Sequence, residues 1–370
     1  MKDSNKNSGG ENGGDLLLAL PASPAPPTFG FFDVELRVQW LLTKGNPLSR
    51  LDTVVDGELF RPLLDAALAK PAQGPGGRPP HDRVKMFKTL VGQRFYKLSD
   101  EQTEYQVSDR LSFQQFIGWT LADKAPEANT LWDFREALIQ ADVFEQLFEL
   151  FGQQLQARGL LAQPGKLVAA SFVDVPRQRN LREEKATIKG GATPAAWAEQ
   201  PAKQRQKDGA ARWTKKNAEV PYGYKHHVKA DAQSKLIEQS AVSDASVQDS
   251  PKLEALVAPT DGAVYAESAY RSAEAEALLA EKAVASQIHE RASRNRPLTE
   301  EQKESNRQKS RIRVRIEHLF GYRRQSMKGF YLRAIGRRRH AAAIGLINLI
   351  YNLARYEQIV RLKLLPLRAA

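Results

Sequence analysis

Apolar residues in this chain follow two textures. Up to about residue 160 they recur at spacings of three and four, as in Leu36, Trp40, Leu41 and again Leu59, Leu63, Leu64, Leu68. That spacing is the mark of amphipathic helices. It predicts short helices over 31–70 and longer ones over 84–98, 100–109, 113–120, 128–141 and 143–157. Ser99, with Glu101 and Gln102 behind it, reads as a helix start. Trp119, Trp132 and the helical Phe residues read as core. After Pro164 the texture changes. Residues 166–173 form an apolar run suited to a buried strand, and 224–230 and 236–242 alternate around a turn at 231–234, predicting a hairpin. Helix over 246–257, strand over 262–266, helix over 272–283 and strand over 284–288 follow, with helix again near Arg307 and over 340–356. Ser243, Asp244 and Ser246 are expected to cap the helix over 246–257. Between the first strand and the hairpin, 180–220 is polar, basic and without period. The order of strands and helices predicts an α/β core, a mixed sheet covered by helices, behind an all-helical region. The expected division is a Gly- and Pro-rich disordered leader over 1–30, a helical domain over 31–160 after which the core runs over 165–356, and a tail over 357–370. A Gly/Pro linker is expected at 72–80.

Composition removes several classes. The chain has 370 residues, 42% hydrophobic, and no Cys. It therefore has no disulfide scaffold, no Cys-ligated zinc and no thiol nucleophile. No apolar run approaches the ~20 residues that span a bilayer. The run 16–20 is too short for a signal-peptide core. The expected setting is cytoplasmic and nucleoid-associated, with no membrane partner. The net charge is +12, from 55 Lys+Arg against 43 Asp+Glu. Its distribution says more than its size. Residues 291–339 hold 16 Lys+Arg and 4 Asp+Glu, and 175–230 hold 13 and 5. The rest of the chain is net acidic. Two basic segments flanking one core favour a nucleic-acid surface over solvated faces, and such binding is salt-dependent because phosphate contacts release counterions.

Several strings, in order, carry a resemblance. They are Lys85-Met86-Phe87, Tyr96-Lys97-Leu98-Ser99-Asp100, Asp109-Arg110-Leu111-Ser112-Phe113 and Phe116-Ile117-Gly118 in the helical part. Later come Ser171-Phe172-Val173-Asp174-Val175-Pro176-Arg177-Gln178-Arg179-Asn180, Ala211-Arg212-Trp213-Thr214-Lys215-Lys216 and Tyr222-Gly223-Tyr224-Lys225. The last are Ser243-Asp244-Ala245-Ser246-Val247, Glu267-Ser268-Ala269-Tyr270-Arg271-Ser272 and Arg313-Val314-Arg315-Ile316-Glu317-His318-Leu319-Phe320-Gly321. Over about 84–355 the chain resembles the insertion-sequence family five transposases of bacteria.

That resemblance implies a ribonuclease-H-like catalytic core in which Asp, Asp and Glu hold two divalent ions, Mg²⁺ or Mn²⁺, for cleavage and strand transfer at DNA phosphodiesters. It implies double-stranded DNA as partner, both element ends and target, and a homodimer or higher homo-oligomer to hold two ends. The helical domain would bind the terminal inverted repeats and serve dimerisation. Carried over position by position, the family's first Asp falls on Ala169, the second on Glu267 and the Glu on Glu317. Ala169 cannot ligate, and Asp174, five residues on, lies on the other strand face. The expectation is an impaired transposase; the alternative is a non-catalytic DNA-binding protein derived from one, either a trapped mutant or a repurposed copy.

Helical spacing places Ser310, Arg313, Glu317 and Arg324 on one face, with Gly321 a candidate helix end before Arg324. Glu317 also reads as an i,i+4 partner of Arg313, and Glu267 as a helix first-turn acid. Arg177, Arg179, Arg182, Arg212, Trp213, Lys215, Lys216, Lys225, Arg271, Arg313 and Arg324 are the candidate DNA contacts, with Trp213 suited either to stacking on an unpaired base or to packing the insertion on the core. His226 and His227 read as hairpin histidines without metal partners.

Overall fold

The computed structural model describes residues 30–69, 80–161, 164–215, 219–293 and 296–368. All of the expected leader (1–30) but Gly30, nearly all of the 72–80 linker, and Lys216 lie outside the described residues.

Every described element from Asp33 to Ala157 is helical. These are α1 (Asp33–Thr43), α2 (Pro47–Val54), α3 (Arg61–Ala67), α4 (Arg83–Tyr96), α5 (Asp100–Asp109), α6 (Leu111–Ile117), α7 (Ala128–Gln140) and α8 (Val143–Ala157). Local chemistry sets their starts. The Ser99 side chain accepts from the Gln102 N–H while Gln102 accepts from the Ser99 N–H, a reciprocal cap for α5. Leu64, Phe87, Phe113 and Leu147 are buried, as their spacing predicts. Two expectations fail: α1 buries nothing, with Leu36 and Trp40 exposed, and Trp132 is 48% exposed.

The remaining elements are β1 (Lys166–Asp174), α9 (Arg182–Lys189), α10 (Pro201–Arg205), β2 (Arg212–Trp213), β3 (Tyr222–Asp231), β4 (Ile237–Asp244), β5 (Ala263–Ala266), α11 (Ala273–Glu281), β6 (Ala285–Ile288), α12 (Glu300–Arg313), α13 (Arg315–Gln325) and α14 (Arg337–Arg361). They build one six-stranded sheet of order β2-β3-β1-β5-β6, with β4 also paired to β3. β1 is antiparallel to β3 and parallel to β5, and β5 is parallel to β6, so the sheet is mixed.

Alternation along β1 splits the interior in two. Leu167, Ala169 and Val173 join a large core with Val228, Ile316, Leu319 and the apolar face of α14. Val168 joins a smaller one with Val264, Ala266, Tyr270 and Leu279. α14 packs on α8, α2 and α4 as well as on β4, tying helical region to sheet. Its Asn352 accepts from the Ile237 N–H (2.9 Å) and donates to the Ile237 carbonyl (2.8 Å), which satisfies the backbone of β4. Gly223 is a genuine backbone requirement: at φ +147 an added Cβ would sit 2.3 Å from the Val173 carbonyl oxygen.

Two segments differ from their expectations. Residues 246–257 hold only a 3-10 turn at Ser250–Lys252. Asp244 accepts from the N–H and the hydroxyl of Ser246, a local turn that competes with a helical start. Pro251 then lacks the N–H a helix needs. The polar insertion, conversely, is structured. Glu184 pairs with Lys203 (2.6 Å) and accepts from the Trp197 indole (2.7 Å), and these bonds, Lys203 first, pull its carboxyl pKa down to about 2. Asp208 is buried and accepts from the Tyr224 hydroxyl (2.8 Å) and from the N–H groups of Ala210, Ala211 and Gly336.

Candidate active site

Three elements converge beside the middle of β1. Ala169 is buried there, 3% exposed. Val168 pairs in parallel with Ala266, so Ala169 and Glu267 are the next positions of that register. Both fall on the face covered by α13, which packs on β1 through Ile316 and Leu319. Glu267 is the extended residue between β5 and the 3-10 turn Ser268–Tyr270, not a first-turn acid of α11. Glu317 stands in the first turn of α13. The register sets Ala169 beside Glu267, and Arg313 ties Glu267 to Glu317, so the positions expected from the resemblance lie on three neighbouring elements, with a methyl group at one of them. Asp174 does not replace it. It is exposed at the far end of β1, its N–H donating to the Phe330 carbonyl (2.8 Å) and its carbonyl accepting from Leu332 (3.0 Å).

A single cation organises the two carboxylates. Arg313 Nη1 lies 3.0 Å from Glu267 Oε1 and 3.3 Å from Glu317 Oε1. The arginine is 17% exposed and the carboxylates 42% and 53%. The i,i+4 pair expected from sequence is present, and the same guanidinium reaches across to the sheet. α12 and α13 meet at Val314, so the expected continuous helix is broken there. Ser310 faces His289, its hydroxyl 3.3 Å from Nε2. His289 follows β6 directly and was missed from sequence; its one signal is a polar residue at a strand end beside the strand that delivers Glu267. Burial, then Arg313 and Lys309, push its pKa down, and Glu267 opposes them. Arg324 is not brought in. α13 runs on through Gly321, which does not end it, and carries Arg324 two turns beyond Glu317, its guanidinium 5.1 Å from the Phe330 ring.

The candidate DNA contacts divide. Arg177 lies 5.3 Å over Trp213, which in turn packs 4.7 Å from the Tyr222 ring; Trp213 keeps 45% of its surface exposed. Arg179, Arg182 and Lys215 are exposed. Arg212 turns back to the Gly209 and Ala211 carbonyls. Lys225 is committed to Asp249 (3.0 Å) and the Val247 carbonyl (2.6 Å), and Arg271 to Glu290 (2.8 Å) and the Ile288 carbonyl (3.2 Å). Those last two charges are spent inside the fold. His226 and His227 are wholly buried. His227 contacts Ser243 (3.0 Å) and the Tyr270 hydroxyl (3.4 Å).

Among the described residues, no three His, Asp or Glu side chains are placed to hold a metal ion. Two carboxylates sharing one guanidinium, with a methyl group at the third position, are not the donor set of a two-ion site. No described helix is long and apolar enough to cross a membrane.

Residues 37–137 match a family described as Transposase domain (DUF772), and residues 171–353 match one described as Transposase DDE domain. Together the matches cover about three-quarters of the chain, and the second begins two residues past Ala169. No solved structure matches.

Proposed function

This chain belongs to the DDE transposases, and on that premise we propose that it serves an insertion sequence whose terminal inverted repeats it binds through the helices of 31–160, with a strand-cleaving site impaired at Ala169. Its core is ribonuclease-H-like, its helices lie N-terminal to it, and DNA transposition is the family's work. Such enzymes cleave and join DNA phosphodiesters with divalent metal ions, which activate the attacking oxygen and stabilise the leaving one. The observation that carries the reading is the buried Ala169 methyl beside Glu267, where a third carboxylate belongs. Exposed Arg177, Arg179, Arg182 and Lys215 supply cations for the phosphate backbone, and Trp213 offers a partly exposed ring for stacking. Holding two element ends calls for a homodimer or a higher assembly. Mg²⁺ or Mn²⁺ is the ion expected of a repaired site.

The test is cleavage of a duplex carrying the element's end, with Mg²⁺ or Mn²⁺, by this chain, by Ala169→Asp and by Ala169→Asp with Glu267→Asp. Restoration by about 100-fold or more, ~2.7 kcal/mol of barrier, is expected of the double variant. Measurable cleavage by this chain equal to that of Ala169→Asp overturns the impairment. A second reading, a DNA-binding protein without catalysis, is favoured by Arg313 seated between the two carboxylates. It stands if both variants bind DNA and neither cuts.

A further inference from the structure

On the flank of α13 away from the carboxylates, five cations gather at the seam between helical region and sheet. Arg94 lies in the last turn of α4, and Lys97 closes that helix in the left-handed region (φ 52). Arg323 is on the inner face of α13, wholly buried. Lys328, also left-handed (φ 46), and Arg333 follow α13. They sense one another: Lys97 is depressed first by burial, then by Arg94, Lys328 and Arg333. Burial and then Arg94 bring Arg323 down to about 9, opposed only by Tyr351.

Two guanidiniums here are short of acceptors. Arg94 Nε and Nη2 are sealed from solvent with no hydrogen-bond partner among the described residues, and so are Arg323 Nε and Nη2. Arg323 makes one hydrogen bond, from Nη1 to His226 Nδ1 (2.6 Å). The C-terminal ends of α4 and α13 carry partial negative charge and favour cations nearby. That field does not supply an acceptor to a sealed N–H, and buried donors are otherwise nearly always paired. The basic surface also continues. An adjoining cavity of about 460 Å³, beside Phe95 and Tyr322, is lined by Arg50, Lys235, Arg355 and Arg361 against one carboxylate, Glu357, which pairs with Arg361, and Arg50 Nε too is sealed without a partner. Unpaired cations on both the seam and this cavity suit a polymer of phosphates better than a single small anion.

We propose that this seam is a second phosphate site of the protein, taking a backbone phosphate of bound DNA on the exposed Lys97, Lys328 and Arg333, above the uncompensated buried charge of Arg94. Arg323 is a positioning residue that holds His226. The site joins the helical region to α13, so one DNA strand held there would clamp the helices against the sheet. The proposal rests on the transposase reading for the identity of its polyanion and on the unpaired guanidiniums for its place.

The experiment measures the affinity of a 25-base-pair duplex against salt for the full chain, for Lys97→Gln/Lys328→Gln/Arg333→Gln and for Arg94→Met. Those three lysine and arginine positions are exposed, so their loss leaves the fold intact. The triple variant is expected to bind about 10-fold or more weakly at moderate salt, with the log–log salt slope reduced by about 2–3. Arg94→Met is expected to weaken DNA binding while raising the melting temperature of the free chain by roughly 2–4 °C, because it removes an unpaired buried charge. A purely structural arginine would lower it. Unchanged slopes in both variants, with the full chain binding normally, overturn the proposal. So does stabilisation by inorganic phosphate or pyrophosphate that the triple variant abolishes without any change in DNA binding. If the full chain binds no duplex at all, the transposase reading falls first, and the inference with it.

Discussion

The two flanks of α13 treat arginine in opposite ways. Toward the sheet's parallel edge, Arg313 serves two carboxylates through Nη1, Glu267 and Glu317, both close to half exposed, and leaves only its Nε sealed without a partner. Toward the helical region, Arg94 and Arg323 bury their nitrogens with no carboxylate between them. A charge count by sequence segment merges these two settings, since Arg313 and Arg323 lie in one basic stretch. The structure separates them. The first flank is screened, adaptable and cheap to alter; the second is dry and stiff, and any anion it accepts meets charge that nothing else neutralises.

The largest expected difference between the flanks is a response to acid. On the seam side His226 is fully buried, and Nδ1 accepts from Arg323, which can only donate. The ring is therefore neutral, with its proton on Nε2 facing Asn348. The amide atom of Asn348 that meets it is then the oxygen, which accepts from His226 and from the Ser240 hydroxyl. Burial and Arg323 hold the His226 pKa well below its ordinary 6.5. His227 is pushed down to about 4, chiefly by burial, and buried His340 is lowered for the same reason. On the carboxylate side, His289 is lowered too but is opposed by Glu267. Each histidine is neutral when folded and takes a proton near pH 6.5 when unfolded. Its stabilisation is complete above that value and is lost as pH falls below it, at up to ~1.4 kcal/mol per pH unit for each group. Urea midpoints should therefore fall steeply from pH 7 to pH 5, and His226→Gln should flatten that fall more than His289→Gln does. A level profile over this range would break the assignment of buried neutral histidines.

Next in size is the removal of an arginine from the dry flank. Arg323→Ala leaves His226 Nδ1 without its donor, disturbs the Asn348 and Ser240 contacts beyond it and opens a cavity. Equilibrium unfolding is expected to show a loss of about 2–4 kcal/mol, from the cavity and the unpaired buried acceptor, offset in part by removal of a buried charge. A loss below ~1 kcal/mol would mean that the two flanks do not differ in stiffness.

Much of the carboxylate flank was legible in the chain. Strings around Glu267 and Glu317 marked positions, and a periodic pattern gave the strands and helices that carry them. Arg313 was read correctly as a helical neighbour of Glu317, but its reach to Glu267 joins residues 46 apart and has no local signature. The seam left still less trace. Arg94 and Arg323 lie in separate regions, and nothing in the spacing of either says that its nitrogens will be sealed. The insertion was unreadable for another reason. Its order comes from single polar anchors, Glu184 on Trp197 and Lys203 and Asp208 on Tyr224, so no apolar period announces it. Residues 246–257 have helical periodicity, and the Asp244 turn and Pro251 override it.

The smallest expected change is Arg313→Gln. Its two ion pairs involve carboxylates that solvent reaches, and exposed pairs contribute ~0–1 kcal/mol after screening. Chemical denaturation should place the variant within ~1 kcal/mol of the parent chain, against the several expected of Arg323→Ala. The informative readout is cation binding. In the Ala169→Asp background, the guanidinium competes with any divalent ion for Glu267 and Glu317, because it already occupies an oxygen of each. Removing it leaves three carboxylates with a stronger mutual need for positive charge. Melting temperatures across a Mn²⁺ titration should rise further for Ala169→Asp/Arg313→Gln than for Ala169→Asp alone. Equal Mn²⁺ responses would show that Arg313 yields to metal without cost, and the contrast between the flanks would then rest on the seam alone.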